Sequence, residues 1–342
     1  MGGEVFGLQV VKFNNCKNLP PDNGFSDLRK NFLEIITMGC KISITPLTIC
    51  LVMIFALSFP AAGKMRADQT GRTVNVPESP QRVVALAPSI TEIIYELGCG
   101  DRLKGATLYS DYPPPARNLP KVGSYVALDL EKIVSLNPDL CIGIMDGNPK
   151  KTVMRLEALG IPVYAVNPRS IDTIRTTVLE IGDLLGADKN AASRVAEMDA
   201  RIDRVRKLSA TADHRPLVFF QIGVAPIVSV GSDTFIHELI EIAGGVNMAA
   251  DHTAYPRFSM EEVIVGAPEV MIITSMAREK IFDQVMAKWQ KWPTIPAVKN
   301  NRIYLVDSDL FDRPTFRVMD GLETLMTLIH PELDAPEKGK NQ

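Results

Sequence analysis

The sequence predicts an α/β protein of two similar lobes, each a parallel-rich sheet covered by helices, with a ligand cleft between them and one long helix joining them. Three observations carry this: strand-sized apolar runs alternate with helical stretches, a segment repeats internally without gaps, and a long polar helical stretch separates the two copies.

The first lobe is assigned to residues 64–168. Residues 83–87 form a short apolar run, and Pro88-Ser89 opens a helix through residues 90–97. Ser89 and Glu92 have the spacing of a capping box, and Gly98 and Gly100 end the helix. Residues 140–144 and 163–166 read as buried strands with the helical stretch 151–159 between them. Residues 169–212 are assigned to the linking helix, rich in Ala, Glu, Arg and Leu and interrupted only by Gly182 and Gly186. After His214-Arg215-Pro216 a new strand over 217–221 opens the second lobe, residues 213–335, and a tail follows at 336–342.

The repeat fixes the two-lobe reading. Leu128-Asp-Leu-Glu-Lys-Ile-Val-Ser-Leu-Asn-Pro-Asp-Leu-Cys-Ile142 aligns with Phe258-Ser-Met-Glu-Glu-Val-Ile-Val-Gly-Ala-Pro-Glu-Val-Met-Ile272 at a constant offset of 130 residues. Glu131 matches Glu261, Pro138 matches Pro268, and Asp139 matches Glu269. At lower precision, residues 83–98 and 218–245 both run strand, loop, helix, Gly.

Residues 1–63 predict a leader. Lys41, an uncharged run to Gly63 with its apolar centre at 47–57, and Ala61-Ala62-Gly63 describe a signal peptide cleaved after Gly63. The competing reading is an uncleaved anchor; Pro46 and Pro60 shorten the helical core to signal-peptide length. Neither Cys40 nor Cys50 follows the small residues of a lipoprotein signal. Residues 1–37 show no usable periodicity, and the expected true start is Met38.

Composition excludes several classes. With a net charge of −3 and interspersed signs, no basic face for nucleic acid is visible. The five cysteines lack C-x-x-C spacing; Cys99 and Cys141 could pair, but buried free thiols are expected. There is no phosphate loop and no Gly-x-Ser-x-Gly, and the four histidines have no metal-ligand spacing. No catalytic residue and no metal ligand is therefore assigned, His237 is expected on a helical face, and neither an ATPase nor a permease fits.

Open α/β sheets bind ligands on the loops after their strands. In the first lobe these carry Tyr109-Ser-Asp-Tyr-Pro-Pro114, Gly123-Ser-Tyr125 and Met145-Asp-Gly-Asn148. In the second they carry Gln221-Ile-Gly223, Ala254-Tyr-Pro-Arg-Phe258 and Ser308-Asp-Leu-Phe-Asp-Arg-Pro314. Aromatics make up only 6% of the chain, yet they collect here beside Arg257, Asp309, Asp312 and Arg313. Such a mixture suits a bulky, partly apolar ligand with polar edges.

Over roughly residues 82–333 the chain resembles the helical-backbone class of periplasmic solute-binding proteins, which serve ABC importers of cobalamin, haem and ferric siderophores. The resemblance is nearest to the cobalamin-binding members. It rests on Tyr109-Ser-Asp-Tyr-Pro-Pro114, Leu128-x-Leu-Glu131-x-Ile-Val, Gly147-Asn148, Phe220-Gln-x-Gly223, Gly244-Gly-x-Asn247, Ser259-x-Glu261-x-Val263 and Ser308-Asp-x-Phe-x-Arg313. The resemblance implies Rossmann-like lobes held nearly rigid by the linking helix, and a periplasmic monomer that delivers a corrinoid to an inner-membrane permease dimer. It implies ligand contacts from Tyr109, Tyr125, Asn148, Tyr255, Asp309, Phe311 and Arg313, and docking of Glu131 and Glu261 on permease arginines. The bound molecule would be cargo, with no resident cofactor. Tyr125 and Tyr255 fall where cobalamin binders carry tryptophans, and the second-lobe disulfide of those members is missing. Tyrosine can ligate haem iron, so a haem or ferric-siderophore receptor is the alternative, and an exported sensor or enzyme on the same fold is a third.

Overall fold

The computed structural model describes residues 63–274 and 280–333, and side chains at 280–282 are left aside. The leader, apart from Gly63, and most of the tail lie outside the described residues.

The chain enters through a hairpin of β1 (Gly63–Ala67) and β2 (Thr73–Pro77), so Gly63 begins a strand. The first lobe then runs β3 (Val83–Ala85), α1 (Pro88–Glu96), β4 (Leu103–Gly105), a hairpin of β5 (Gly123–Ser124) and β6 (Ala127–Leu128), α2 (Leu130–Ser135), β7 (Leu140–Ile144), α3 (Lys150–Ala158) and β8 (Val163–Val166). Its main sheet has the order β4-β3-β7-β8 and is parallel throughout. Both faces of β3 and β8 are buried, which explains their unbroken apolar runs.

Helix α1 begins differently from the capping-box expectation. Ala87 is the N-cap without a side-chain bond, Pro88 occupies the first turn, and Ser89 and Glu92 are both buried. Pro at the first helical position replaces the cap, because its missing N–H needs no partner there. Glu92 is thereby free for a distant contact.

The joining segment is two helices where the sequence predicted one. Helix α4 (Ile171–Leu184) starts on a capping box between Ser170 and Thr173, and α5 (Asp188–Ser209) follows. Gly186 between them has φ +62°, a left-handed turn that favours glycine and stops the first helix. The pair spans both hydrophobic cores. Ile171 and Ile174 pack in the second-lobe core, Val178, Ile181, Leu184 and Ala191 in the first, and Met198, Ile202 and Val205 return to the second.

The second lobe runs β9 (Leu217–Val224), β10 (Ile227–Ser229), α6 (Phe235–Ile242), β11 (Val246–Asn247), β12 (Arg257–Phe258), α7 (Met260–Gly266), β13 (Val270–Ile273), α8 (Lys280–Trp289), α9 (Pro296–Lys299), β14 (Ile303–Leu305), α10 (Ser308–Phe311) and α11 (Val318–Ile329). Its sheet has the order β12-β10-β9-β13-β14, with β11 also pairing β9. Here β10 and β12 run antiparallel, so this lobe is mixed.

The repeat is visible to the hydrogen bond. Asn137 and Ala267 both end their helices with positive φ, 46° and 47°. The Asp139 carboxylate accepts from the backbone N–H groups of Gln81 and Arg82 at the entry to β3. The Glu269 carboxylate accepts from the N–H of Leu217 at the entry to β9 and pairs with His214.

Candidate functional site

In the first-lobe sheet the chain order reverses between β3 and β7, and the crevice beyond their C-terminal ends is where such sheets take ligands. Asn148 closes that crevice. Its amide oxygen accepts from Ile144 N–H at 2.8 Å, and its Nδ2 donates to the carbonyls of Leu86 and Tyr125, both at 2.8 Å. These three bonds bind β3, β7 and the Tyr125 hairpin together, so Asn148 acts as a positioning residue.

Tyr125 sits at the tip of the β5–β6 hairpin, which the chain enters at Gly123 with φ +92°. Its ring rests on Gly147, where a Cβ would come within 2.6 Å of the ring carbons. The second lobe presents Tyr255, 43% exposed, on the loop before β12. Asp233 accepts from Ala254 N–H and anchors that loop. Tyr109 is 58% exposed and completes the set. The tyrosines converge electrostatically. Burial first, then Asp312, Asp146 and Tyr109, push the Tyr125 hydroxyl upward. Burial first, then Asp146, Asp312 and Asp233, opposed by Arg169, push that of Tyr255 upward. Asp146 and Asp312 thus act on one tyrosine from each lobe.

Arg313 was expected on the ligand; it is instead buried in a clamp between the lobes. Its guanidinium meets Glu92 at 2.8 Å, Asp111 at 3.1 Å, Asp309 at 2.9 Å and the Tyr109 carbonyl at 3.1 Å. Glu92 also accepts from Thr315 at 2.9 Å and faces Arg317 at 3.4 Å. Arg317 in turn lies 4.3 Å from the centre of the Tyr112 ring. Asp309 is likewise turned to Arg313. Phe311 is a second correction: it is fully buried, edge-on to Phe220 in the second-lobe core, because one turn of helix at Ser308–Phe311 turns it inward. Gln221 lies within β9 and is buried, accepting from Trp289 Nε1 at 3.0 Å.

Three residues that no sequence argument assigned stand out. Glu92 resembled a helix cap. Arg169 lies at the lobe junction, 3.4 Å from both Asp146 and Asp233. The Asp312 side chain has no hydrogen-bond or ion-pair partner among the described residues, its backbone N–H donating to the Ser308 carbonyl at 2.7 Å, and only its place beside the aromatics in the sequence hinted at it. A hollow lined by Glu96, Arg194, Glu197 and Arg201 offers no comparable site, because its arginines are already paired.

Glu131 and Glu261 are exposed, each the second residue of its helix, and neither has an ion-pair partner among the described residues. Cys99 and Cys141 are buried free thiols, and burial pushes Cys141 up to about 12. His237 bonds Asn247 at 3.1 Å. Among the described residues no group of acidic, His or Cys side chains could hold a metal ion, and no helix is long and apolar enough to cross a membrane.

A family profile described as periplasmic binding protein matches residues 83–310. The chain is 33% identical to the vitamin B12-binding protein of Vibrio campbellii over 71% of this chain and 86% of that one. Among solved structures, the periplasmic vitamin B12 binding protein BtuF of Vibrio cholerae aligns with TM-score 0.66 and 28% identity, covering 76% of this chain and all of that one. The periplasmic heme-binding protein RhuT of Roseiflexus sp. RS-1 aligns with TM-score 0.66 and 28% identity over 74% of this chain and 99% of that one.

Proposed function

Since the chain belongs to the periplasmic binding protein family, we propose that it captures a corrinoid outside the cytoplasm and hands it to an ABC importer. The observation that supports this reading is that loops of both lobes present accessible tyrosines, Tyr109 and Tyr125 in the first and Tyr255 in the second. Aromatic side chains offered by both lobes suit a broad, planar ligand, and the vitamin B12 binders are relatives over most of their length. The protein's own groups then have separable tasks. Tyr125 and Tyr255 face the ligand, Asn148 and the Glu92–Arg313 clamp hold the walls, and Glu131 and Glu261 meet cationic residues of the two permease subunits.

A haem reading is favoured by one observation, the exposure of Tyr109, a residue type whose hydroxyl ligates haem iron. Titrating residues 64–342 with cyanocobalamin and with haem, followed by calorimetry and absorbance, separates the two. Saturable cyanocobalamin binding at micromolar protein supports the corrinoid reading. Its absence together with a haem absorbance shift overturns it.

A further inference from the structure

The chain leaves the first-lobe sheet at β8 and enters α4 through residues 167–171, and this short crossover is pinned from both lobes. The Asn167 N–H donates to Gln69 Oε1 in the turn of the first hairpin at 2.5 Å. The Ile171 N–H donates to the Glu238 carboxylate of α6 at 2.7 Å. Arg169 projects from the middle of this fixed segment, and its guanidinium divides between the lobes. Nη2 donates to Asp146 and Nη1 to Asp233, each at 3.4 Å.

Both carboxylates belong to loops that support a tyrosine of the site. Asp146 precedes Gly147, on which the Tyr125 ring rests, and Asn148, which donates to the Tyr125 carbonyl at 2.8 Å. Asp233 accepts from Arg169 on Oδ2 and, on Oδ1, from the N–H of Ala254, the residue before Tyr255. Ala254 has φ +52°, a left-handed conformation that costs alanine energy, so its neighbours must impose it. Besides Asp233, the Gly231 N–H does so by donating to the Ala254 carbonyl at 2.7 Å.

We infer that Arg169 is a positioning residue of the site, which through Asp146 and Asp233 fixes the Tyr125 loop and the Tyr255 loop relative to each other. The inference rests on the proposed function for the role of the tyrosines and adds how they are held before a ligand arrives. A rigid planar fork can serve two carboxylates on separate nitrogens, where lysine offers only one. Both ion pairs are partly exposed and contribute little to global stability. Their effect falls on the loops, because a protein whose binding-competent form is populated only part of the time binds more weakly by that fraction. Such a loss shows in the association rate, whereas a lost ligand contact shows in the dissociation rate.

The test compares the wild type with Arg169→Met, Arg169→Lys, Asp146→Asn and Asp233→Asn. In the ligand-free Arg169→Met protein, amide hydrogen exchange should quicken about fivefold over residues 145–148 and 252–258, with the melting temperature and exchange in β7 and β9 unchanged. Unchanged exchange in both loops overturns the inference whatever the ligand. In stopped-flow binding of cyanocobalamin, Arg169→Met should associate about fivefold more slowly and dissociate at the wild-type rate. Asp146→Asn and Asp233→Asn should each slow association about twofold, and Asp146→Asn added to Arg169→Met should slow it no further. Arg169→Lys keeps the charge without the fork and should recover about half of the loss. Faster dissociation in Arg169→Met, with both asparagine variants binding as tightly as the wild type, means that the arginine touches the ligand and overturns the positioning role. A wild type that binds haem and not cyanocobalamin overturns the corrinoid reading alone, and the same rates followed with haem then decide for or against Arg169.

Discussion

The segments Leu128–Ile142 and Phe258–Ile272 fold alike almost residue by residue, whereas the loops that face the cleft have nothing in common. Glu131 and Glu261 occupy the same position of their helices, and Asn137 and Ala267 adopt the same backbone angle. The cleft walls differ in origin. Tyr125 rides a two-stranded hairpin resting on Gly147, and Tyr255 rides a loop tied to Asp233. What repeats is the outward surface, and what diverges is the inward one. Under the proposed function, docking on a two-fold permease accounts for the first, and a ligand without two-fold symmetry accounts for the second.

The largest effect should come from breaking the symmetric half. Glu131→Ala with Glu261→Ala should lower transport about 100-fold, as expected for losing two interfacial charge pairs, while ligand affinity measured by calorimetry stays unchanged. Each single variant should cost about tenfold. A loss of ligand affinity instead would place these carboxylates in the cleft and end the comparison.

The clamp tests the asymmetric half. Arg313→Met leaves Glu92 buried without its main counter-ion and should cost about 3–5 kcal/mol in urea unfolding. Glu92→Gln keeps a hydrogen-bonding group toward Arg313 and Thr315 and should cost less. Equal, small losses would show that the clamp does not join the lobes.

This clamp also marks the limit of what the sequence disclosed. Strands over 140–144 and 163–166 were legible to the residue, because buried parallel strands announce themselves as apolar runs. The repeat was legible because its Pro and acid recur at fixed spacing. The Glu92–Arg313 pair spans 221 residues and leaves no local pattern. Glu92 even mimicked a cap, since three-residue spacing to a serine recurs inside ordinary helices. Phe311 was misplaced for a related reason: a one-turn helix rotates a side chain from cleft to core, and so short an element has no periodicity to read. Gly186 did carry its signal, a glycine in a polar helical run, but only the positive φ shows it to be a break.

The two walls can then be compared directly. Tyr125→Ala and Tyr255→Ala should each weaken cyanocobalamin binding about tenfold, and the double variant more than either, with melting temperature nearly unchanged for Tyr255, the more exposed of the two. If one alone carries the whole loss, the ligand lies on one lobe and not between both.

The smallest effect returns to the repeat. Asn137 and Ala267 share a left-handed backbone, but asparagine tolerates that region through its short polar side chain, and alanine pays a steric cost there. Replacing each with glycine relieves the strain unequally. Ala267→Gly should stabilise the protein by about 1 kcal/mol, somewhat offset by the greater freedom of the unfolded chain, and Asn137→Gly should be near neutral. Ala267→Asn, which rebuilds the first-lobe residue in the second lobe, should recover part of that gain. Equal responses at the two sites in denaturant melts would show that the matched angles hide different surroundings, and that the repeat is a likeness of backbone only.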